Sequence, residues 1–182
     1  MFLQACLNGS RPPGDHERLP LTPDELARDA AEVAEAGAVS VHVHPRGPDG
    51  LESLEPEHCG AAVSALREAA PELEISLSTG LWITDGDVAR RLECVRGWTE
   101  LPDCVSVNVI EEGWEDLVAL LDGRGIGIES GSGRRSTRGS SPPRGWRGAA
   151  GARSSSRRRP RRRSRSSPPA RSTAGSSATT SA

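Results

Sequence analysis

The regular alternation of short apolar runs with longer helical patterns constrains the fold of this chain more than any other feature. Strands are predicted at residues 2–8, 39–44, 73–78 and 104–110, and a fifth begins at 126–129. Apolar residues at helical spacing predict helices between them, at 22–36, 55–70, 85–98 and 114–122. The clearest predicted helix start has Thr22 as its N-cap, Pro23 as the next residue and Glu25 at the capping-box position. Such alternation with short loops specifies a parallel sheet with right-handed crossovers.

Two α/β architectures fit this alternation, an open doubly wound sheet and a (β/α)8 barrel. In a nucleotide-binding doubly wound sheet we would expect a G-x-G-x-x-G loop after the first strand. Residues 8–12 contain no such loop. Every predicted strand instead ends in polar residues, as a barrel active site requires. These residues are Asn8, His44, Ser78 with Thr79, Asn108 and Glu129. A barrel needs about 250 residues and the pattern stops near the middle, so we predict an α/β chain holding about the first half of a (β/α)8 TIM barrel, strands one to five.

Two histidines, His42 and His44, lie one residue apart in the second predicted strand. A strand sends residues i and i+2 to the same face, so both imidazoles point the same way and could hold one metal ion. Pro45-Arg46 follows directly and places the pair at the carboxyl end of the strand, where α/β folds usually carry their chemistry. The alternative is a polar pair on a solvated face.

Charge divides the chain sharply near residue 130. All 25 acidic residues lie at or before Glu129 together with 9 arginines, whereas residues 130–182 carry 14 arginines and no acid. No Val, Ile, Leu, Met or Phe follows Ile128. A segment of Arg, Ser, Gly, Pro and Ala cannot bury enough apolar surface to offset its chain entropy. We therefore predict a partial barrel domain at 1–131 and a disordered tail at 132–182.

The arginine-rich tail has two interpretations. Arginine blocks such as 157–163 neutralise phosphate, so a genuine tail would bind RNA or DNA. A shifted reading frame is the interpretation we favour, because an out-of-frame GC-rich gene yields mostly Arg, Ser, Gly, Pro and Ala. The change also falls within a predicted strand, where no domain should end. A half barrel of this kind could also be an inert fragment with open sheet edges.

The cysteines and the first residues of the chain indicate a cytoplasmic protein. The cysteines form no C-x-x-C and predict reduced thiols, mostly in the core. They are Cys6, Cys59, Cys94 and Cys104. The chain opens without a basic n-region, and no run approaches the roughly 18 apolar residues of a membrane span. We therefore expect no membrane partner.

Several short motifs occur in order along residues 3–131. They are Ala5–Arg11, Leu19–Leu26, His42–Arg46 with Asp49-Gly50, Ser78–Gly80, Pro102-Asp103 and Ser106–Asn108. This series resembles the β-keto acid cleavage enzymes, such as the 3-keto-5-aminohexanoate cleavage enzymes, over their N-terminal half. The resemblance implies a (β/α)8 barrel, usually a homo-oligomer, with one divalent metal, generally Zn²⁺. It also implies a reaction in which a β-keto acid and acetyl-CoA become a new acyl-CoA and acetoacetate.

The resemblance assigns roles to individual residues. His42 and His44 match two metal-binding histidines. Ser78 matches a substrate-contacting serine, Ser106 stands where some members have a catalytic threonine, and Glu129 matches a glutamate ending the fifth strand; catalytic roles are predicted for these three. Substrate binding is predicted for Asn8, Arg11, Thr79, Gly80 and Asn108. Zinc held by two neutral imidazoles and a carboxylate keeps an open position for keto-acid oxygens, and nearby hydroxyls can hydrogen-bond a developing oxyanion.

The chain departs from this family at the third metal ligand. Members have a late glutamate, preceded by an arginine and followed by an aspartate implicated in proton transfer, and residues 132–182 contain no acid. Arg11 stands where some members have a glutamate, and a cation there better suits a substrate carboxylate. We therefore predict reduced zinc affinity and a chain that is inactive as translated. The identity of the keto acid stays open.

The remaining conspicuous residues are predicted to be structural. His16 and His58 have no partner at metal spacing and predict solvated positions. The tryptophans are interpreted as packing residues, namely Trp82, Trp98 and Trp114.

Four acidic residues near strand ends allow a choice of role. Glu111-Glu112 is interpreted as a solvated loop, although its position at a strand end leaves site involvement open. Asp49 and Glu52 could orient a metal-binding histidine by a hydrogen bond to its second ring nitrogen, but we prefer to interpret them as caps of the second helix.

Overall fold

The computed structural model describes residues 2–131, which form one five-stranded sheet with helices between its strands. The strands are β1 (Gln4–Cys6), β2 (Ser40–Val43), β3 (Glu74–Ser78), β4 (Cys104–Asn108) and β5 (Gly127–Gly131). The helices are α1 (Pro23–Glu35), α2 (Pro56–Ala69), α3 (Val88–Gly97) and α4 (Trp114–Gly123), with a 3₁₀ helix at Leu81–Thr84. The predicted disordered tail, residues 132–182, lies outside the described residues.

The strands lie side by side in chain order, β1-β2-β3-β4-β5, and each neighbouring pair is parallel. A doubly wound sheet reverses its strand order at a switch point, and no reversal occurs among these five strands. Unbroken consecutive order is the arrangement of a (β/α)8 barrel. The predicted partial barrel is confirmed, and the doubly wound alternative is wrong.

The two faces of the sheet differ in chemistry because successive strand residues point to opposite sides. One face is apolar and packs against the helices. Its residues are Ala5, Val41, Val43, Ile75, Leu77, Val105, Val107 and Ile128. The helices contribute Leu26, Ala30, Val63, Leu66, Val95, Leu117 and Leu121 to the same core. The opposite face carries polar side chains, and His42, Ser76 and Glu129 are among them.

The polar face is concave. Gln4 on β1 donates from Nε2 to Glu129 Oε1 on β5 at 2.8 Å, although these are the first and last strands of the sheet. In a flat sheet, four steps of about 4.8 Å would separate such strands by roughly 19 Å, too far for two side chains to meet. The sheet therefore curls around its polar face, as a barrel wall does.

Helix α1 begins with the predicted capping box. Glu25 N donates to Thr22 Oγ1 at 3.3 Å, and Thr22 N donates to the Glu25 carboxylate at 2.9 Å. The two bonds satisfy backbone groups that the first turn of a helix leaves free. Hydrogen bonds from the backbone of Thr22 and Leu21 lower the pKa of Glu25.

The third helix starts later than predicted. The chain leaves β3 through the 3₁₀ helix, and Asp85 and Gly86 then take positive φ angles of 53° and 84°. Residues in that region cannot continue a right-handed helix. Asp87 becomes the N-cap and accepts from Arg90 N at 2.9 Å.

Candidate metal site and the strand ends around it

His42 and His44 bring their ring nitrogens together at the carboxyl end of β2. Their Nε2 atoms are 3.3 Å apart, and the rings meet edge to face with centroids 5.1 Å apart. His44 is buried and His42 is partly buried. Both rings lie on the same face of the sheet, as their i, i+2 spacing predicts.

The second ring nitrogen of each histidine has its own partner. His44 Nδ1 is hydrogen bonded to Glu52 Oε1, and His42 Nδ1 lies 2.9 Å from Ser76 Oγ. Ser76 Oγ in turn donates to Glu129 Oε2 at 2.6 Å. A carboxylate can only accept, and Ser76 gives its proton to Glu129, so both histidines donate from Nδ1. Each Nε2 of the neutral rings therefore carries a free lone pair.

This geometry fits a divalent metal ion. A tetrahedral ion with metal–nitrogen bonds of about 2.0–2.1 Å places two ligand nitrogens roughly 3.3 Å apart. Two lone pairs at that separation repel each other unless a cation lies between them. Proteins commonly fix metal-binding histidines through their second nitrogen in this way.

The local electrostatics favour a neutral imidazole at His42 and an ionised carboxylate at Glu52. Burial lowers the pKa of His42, and the neighbouring His44 lowers it further, whereas Glu129 acts in the opposite direction. Burial alone would raise the pKa of Glu52, but hydrogen bonds from His44 and Trp82 outweigh it and the pKa falls below its usual value. Neutral imidazole is the form that binds metal.

The described residues supply two protein ligands at this pair. Among residues 2–131, the group of three His, Cys, Asp or Glu ligand atoms within 4.8 Å of one another is Glu74, Cys104 and Glu129, which includes neither histidine. That group is held by its own hydrogen bonds: the Cys104 thiol donates to Glu74 at 3.5 Å, and Gln4 and Ser76 donate to Glu129. Burial raises the pKa of Cys104 to about 12, and nearby Glu129 adds to that effect.

A short hairpin after β2 returns Glu52 to His44. Arg46 and Glu52 form an isolated antiparallel bridge, and Gly47 N donates to Leu51 O at 2.9 Å. The interpretation of Glu52 as a helix cap is wrong, because this hairpin turns its carboxylate toward the histidine.

Asp49 does not cap the second helix either. Its carboxylate accepts from Leu51 N at 3.0 Å within the hairpin. Glu55 is the N-cap residue of α2 and makes no side-chain cap bond, while its backbone N donates to Ser53 Oγ at 3.1 Å.

The three residues predicted to be catalytic form a row across the sheet. Ser78 on β3 is in register with Ser106 on β4, and Ser106 is in register with Glu129 on β5. Ser78 is buried, and the other two are partly buried. The row lies beside the histidine pair, because Ser76, two residues before Ser78, is the partner of His42.

Asn8 is hydrogen bonded to the backbone of His44. Its amide oxygen accepts from His44 N at 2.9 Å, and its Nδ2 donates to His44 O at 2.9 Å and to Pro20 O at 3.2 Å. The side chain is buried and holds the strand end that carries His44. Its predicted role in substrate binding stays a prediction.

The first loop is tied to the hairpin through Arg46. The buried Arg46 guanidinium donates from Nη2 to Gly9 O at 2.5 Å and to Arg11 O at 2.9 Å. The Arg11 side chain is exposed and lies 3.5 Å from Asp15. Arg11 thus presents an exposed cation on the first loop, and its predicted contact with substrate stays a prediction.

The other three predicted substrate residues follow β3 and β4. Thr79 is buried and donates from Oγ1 to Ser106 O at 2.5 Å. Gly80 precedes the 3₁₀ helix, and a Cβ added to it would lie 2.2 Å from the Trp82 ring. Asn108 Nδ2 donates to Glu111 Oε1 at 2.7 Å.

Glu111 accepts hydrogen bonds from two other segments of the chain, and its interpretation as part of a solvated loop is wrong. Its Oε2 accepts from Leu81 N at 2.9 Å and from the fully buried Arg91 at 2.8 Å. Arg91 also donates to Glu112 O at 2.6 Å. Nothing in the local sequence distinguishes Arg91 from its exposed neighbour Arg90, so sequence reasoning missed this pair.

The packing interpretation holds for Trp98 and Trp114 and is wrong for Trp82. Trp98 is buried and donates from Nε1 to Leu54 O at 2.9 Å, and Trp114 packs against the core. Trp82 is 47% exposed and donates to Glu52 Oε2 at 3.0 Å. His58, predicted to be solvated, is partly buried and lies 2.8 Å from Ser53 Oγ.

The fold and the site define a barrel-type α/β protein with a histidine pair at its strand ends, and sequence comparison assigns its family. Residues 1–123 match the family described as beta-keto acid cleavage enzyme. Because this match covers more than half of the chain, the protein belongs to the β-keto acid cleavage enzyme family. The resemblance drawn from the motifs is confirmed.

Individual relatives match a shorter stretch. The 3-keto-5-aminohexanoate cleavage enzyme of Fusobacterium nucleatum is 32% identical over 81 residues, 44% of this chain and 30% of the relative. The 3-oxoadipate:acetyl-CoA acetyltransferase of Cupriavidus necator is 32% identical over 80 residues, 43% of this chain and 28% of the relative. The matched stretch thus spans less than a third of the length of these curated relatives.

One solved structure shows a distant likeness. D-glucarate dehydratase from Agrobacterium tumefaciens, complexed with magnesium, is 16% identical, with a TM-score of 0.34 over 72% of this chain and 46% of that chain. The fold assignment therefore rests on the strand order and curvature of the chain itself. In the part of the chain that the structure describes, no helix has the length and apolar character needed to cross a membrane.

Proposed function

We propose that this chain derives from a metal-dependent enzyme that transfers an acyl group between a β-keto acid and acetyl-CoA, giving a new acyl-CoA and acetoacetate. The observation that carries the proposal is the pair of Nε2 atoms 3.3 Å apart, each on a ring held by its Nδ1. Membership of the family and the relatives' names support the reaction class.

His42 and His44 would hold the metal ion, generally zinc. When bound, such an ion supplies Lewis acidity toward the oxygens of a keto acid. The chain's own task is to hold both imidazoles in the Nδ1–H form with each Nε2 turned toward the other ring. Glu52 does so for His44, and Ser76 with Glu129 does so for His42.

Substrate contacts are proposed for the row of polar groups beside the histidines. Ser78 and Ser106 present hydroxyls on adjacent strands in register, where they can donate hydrogen bonds to a carboxylate or a developing oxyanion. Glu129 already accepts from Ser76 and Gln4, so we assign it to holding His42 and to the shape of the row.

We further propose that the chain as translated does not turn over substrate. The described residues place two protein ligands at the histidine pair, and residues 132–182 contain no Asp or Glu that could complete the site. Two neutral imidazoles bind zinc less tightly than two imidazoles and a carboxylate. Residues 132–182 also offer no counterpart of the late aspartate that the resemblance implicates in proton transfer.

The test combines a measurement of zinc binding with resequencing of the gene. Zinc titration of the full chain against a chromophoric chelator should show one site that is lost in His42→Ala and His44→Ala. His16→Ala is the matched control, because His16 is an exposed histidine whose Nδ1 accepts from Arg18 N and which lies outside the histidine pair. Zinc binding that survives both variants would overturn the assignment of the metal site.

The gene should then be resequenced across the codons for residues 126–133, and the frame-restored protein should be assayed with 3-oxoadipate and acetyl-CoA. Acetoacetate formation by that protein, and none by the present chain, is expected. Turnover by the present chain would contradict its proposed inactivity. RNA binding that collapses with added salt, with a confirmed reading frame, would favour a nucleic-acid-binding role for the tail instead.

A further inference from the structure

Both oxygens of Glu52 are engaged, and by different kinds of donor. Oε1 accepts from His44 Nδ1, and Oε2 accepts from Trp82 Nε1 at 3.0 Å. The Glu52 side chain is only 13% exposed. A carboxylate with one free oxygen could rotate away from the imidazole, so the indole N–H fixes the orientation in which Oε1 meets His44.

The indole is itself held at that position. Its ring lies over Gly80, where an added Cβ would meet three ring carbons at 2.2 to 2.5 Å. The residue before Trp82, Leu81, donates its backbone N to Glu111 Oε2 at 2.9 Å, and the fully buried Arg91 donates to the same oxygen at 2.8 Å. A contiguous series of contacts thus runs from the core through the 3₁₀ helix to His44.

Ordinary packing does not account for this tryptophan. It is 47% exposed, whereas Trp98 is 2% exposed and lies in the core. An exposed indole loses much of the free energy that burial of an aromatic ring provides. Its definite contribution is the N–H that reaches Glu52.

We propose that Trp82 is a positioning residue of the metal site: it orients Glu52, and Glu52 then fixes the Nδ1–H form of His44 so that Nε2 faces His42. The inference rests on the metal-binding part of the proposed function and is independent of acyl transfer. It makes Gly80 the residue that leaves room for the indole, in addition to its predicted contact with substrate.

The first readout is the tautomer of His44 in metal-free protein, measured by long-range ¹H–¹⁵N correlation spectra. In the unsubstituted chain, His44 should be protonated at Nδ1. Trp82→Phe keeps a ring over Gly80 and removes the N–H, so the Nε2–H form of His44 should increase. Glu52→Ala should increase that form further. A His44 that is Nε2–H in the unsubstituted chain would overturn the proposal.

The second readout is the affinity for Co²⁺, with Trp114→Phe as the matched control at a tryptophan that does not contact Glu52. Loss of the group that hydrogen-bonds the second ring nitrogen of a metal-bound histidine typically lowers the metal affinity about 10- to 100-fold. We expect Trp82→Phe to lower the Co²⁺ affinity about 10-fold, because Trp82 acts on His44 through Glu52. We expect no loss of affinity for Trp114→Phe.

The double variant decides whether Trp82 acts through Glu52. In the Glu52→Ala background, Trp82→Phe should cause no further loss of affinity or change of tautomer. Two losses that simply add would overturn the proposal. Failure of the unsubstituted chain to bind Co²⁺ would count against the proposed function, while the tautomer spectra would still decide the role of Trp82.

Discussion

Gln4 and Glu129 are hydrogen bonded at 2.8 Å, although one lies on the first strand of the sheet and the other on the last. The same carboxylate reaches His42 through Ser76. One side chain therefore links the two ends of the curled sheet and supports a histidine of the candidate metal site. A flat arrangement of the five strands would separate these groups and leave His42 without its distant partner.

Because of that contact, Gln4 and Glu129 should be energetically coupled. A double-mutant cycle with Gln4→Ala and Glu129→Ala, measured by urea unfolding, should give an interaction free energy of about 1 kcal/mol. A cycle that pairs Gln4→Ala with Glu115→Gln on α4 should give none, since Glu115 makes no bond to Gln4 among the described residues. Zero coupling in the first cycle would argue for an open sheet.

Ser76→Ala should weaken metal binding about 10-fold, since it cuts the link between Glu129 and His42 Nδ1. Ser40→Ala is the control, because Ser40 is also buried on the polar face but accepts from Gln4 at 3.1 Å and, among the described residues, makes no hydrogen bond to either histidine. Zinc affinity measured by chelator competition distinguishes the two. Equal losses in both variants would mean that Ser76 acts only through general stability.

Arg91→Met should destabilise the fold by about 3 kcal/mol, because it leaves the carboxylate of Glu111 without its buried cation. The Glu111 side chain is only 15% exposed, and urea unfolding measures the loss. Arg90→Gln, at the exposed neighbouring position, should change the unfolding midpoint far less. The double variant with Arg91→Met and Glu111→Gln should recover part of the loss, and a failure to recover would point to lost packing instead.

Cys6 should be the reactive thiol among the four. It is exposed, whereas the other three are buried. Burial raises the pKa of Cys59, Cys94 and Cys104, the last to about 12. At pH 8 a thiol with that pKa is thiolate in only about one molecule in 10⁴, and the thiolate is the reactive form.

Titration with an aromatic disulfide reagent should therefore detect one fast thiol in the native protein and none in Cys6→Ser. All four thiols should react in guanidinium chloride, and three should react in the unfolded Cys6→Ser variant. Fast modification of Cys104 in native protein at pH 8 would show that the polar interior is open to solvent.

The sequence by itself determined the elements, the fold class and the position of the histidine pair. Periods of two and 3.6 residues, together with cap residues such as Thr22, are local signals, and strand order follows from short parallel crossovers. The i, i+2 spacing of His42 and His44 was enough to place both rings on one face. The Ser76 link was also within reach, since polar residues alternate with apolar ones along β3 in Glu74-Ile-Ser-Leu-Ser78.

The tertiary structure was needed to decide which of the candidate groups support that pair. Glu52 returns to His44 through a hairpin, Trp82 reaches Glu52 from 30 residues away, and Glu129 reaches Ser76 across 53 residues. Arg91 differs from Arg90 only in which side of α3 faces the core. Such contacts depend on sheet curvature and loop paths, which arise from packing of the whole domain and leave no mark in local sequence spacing.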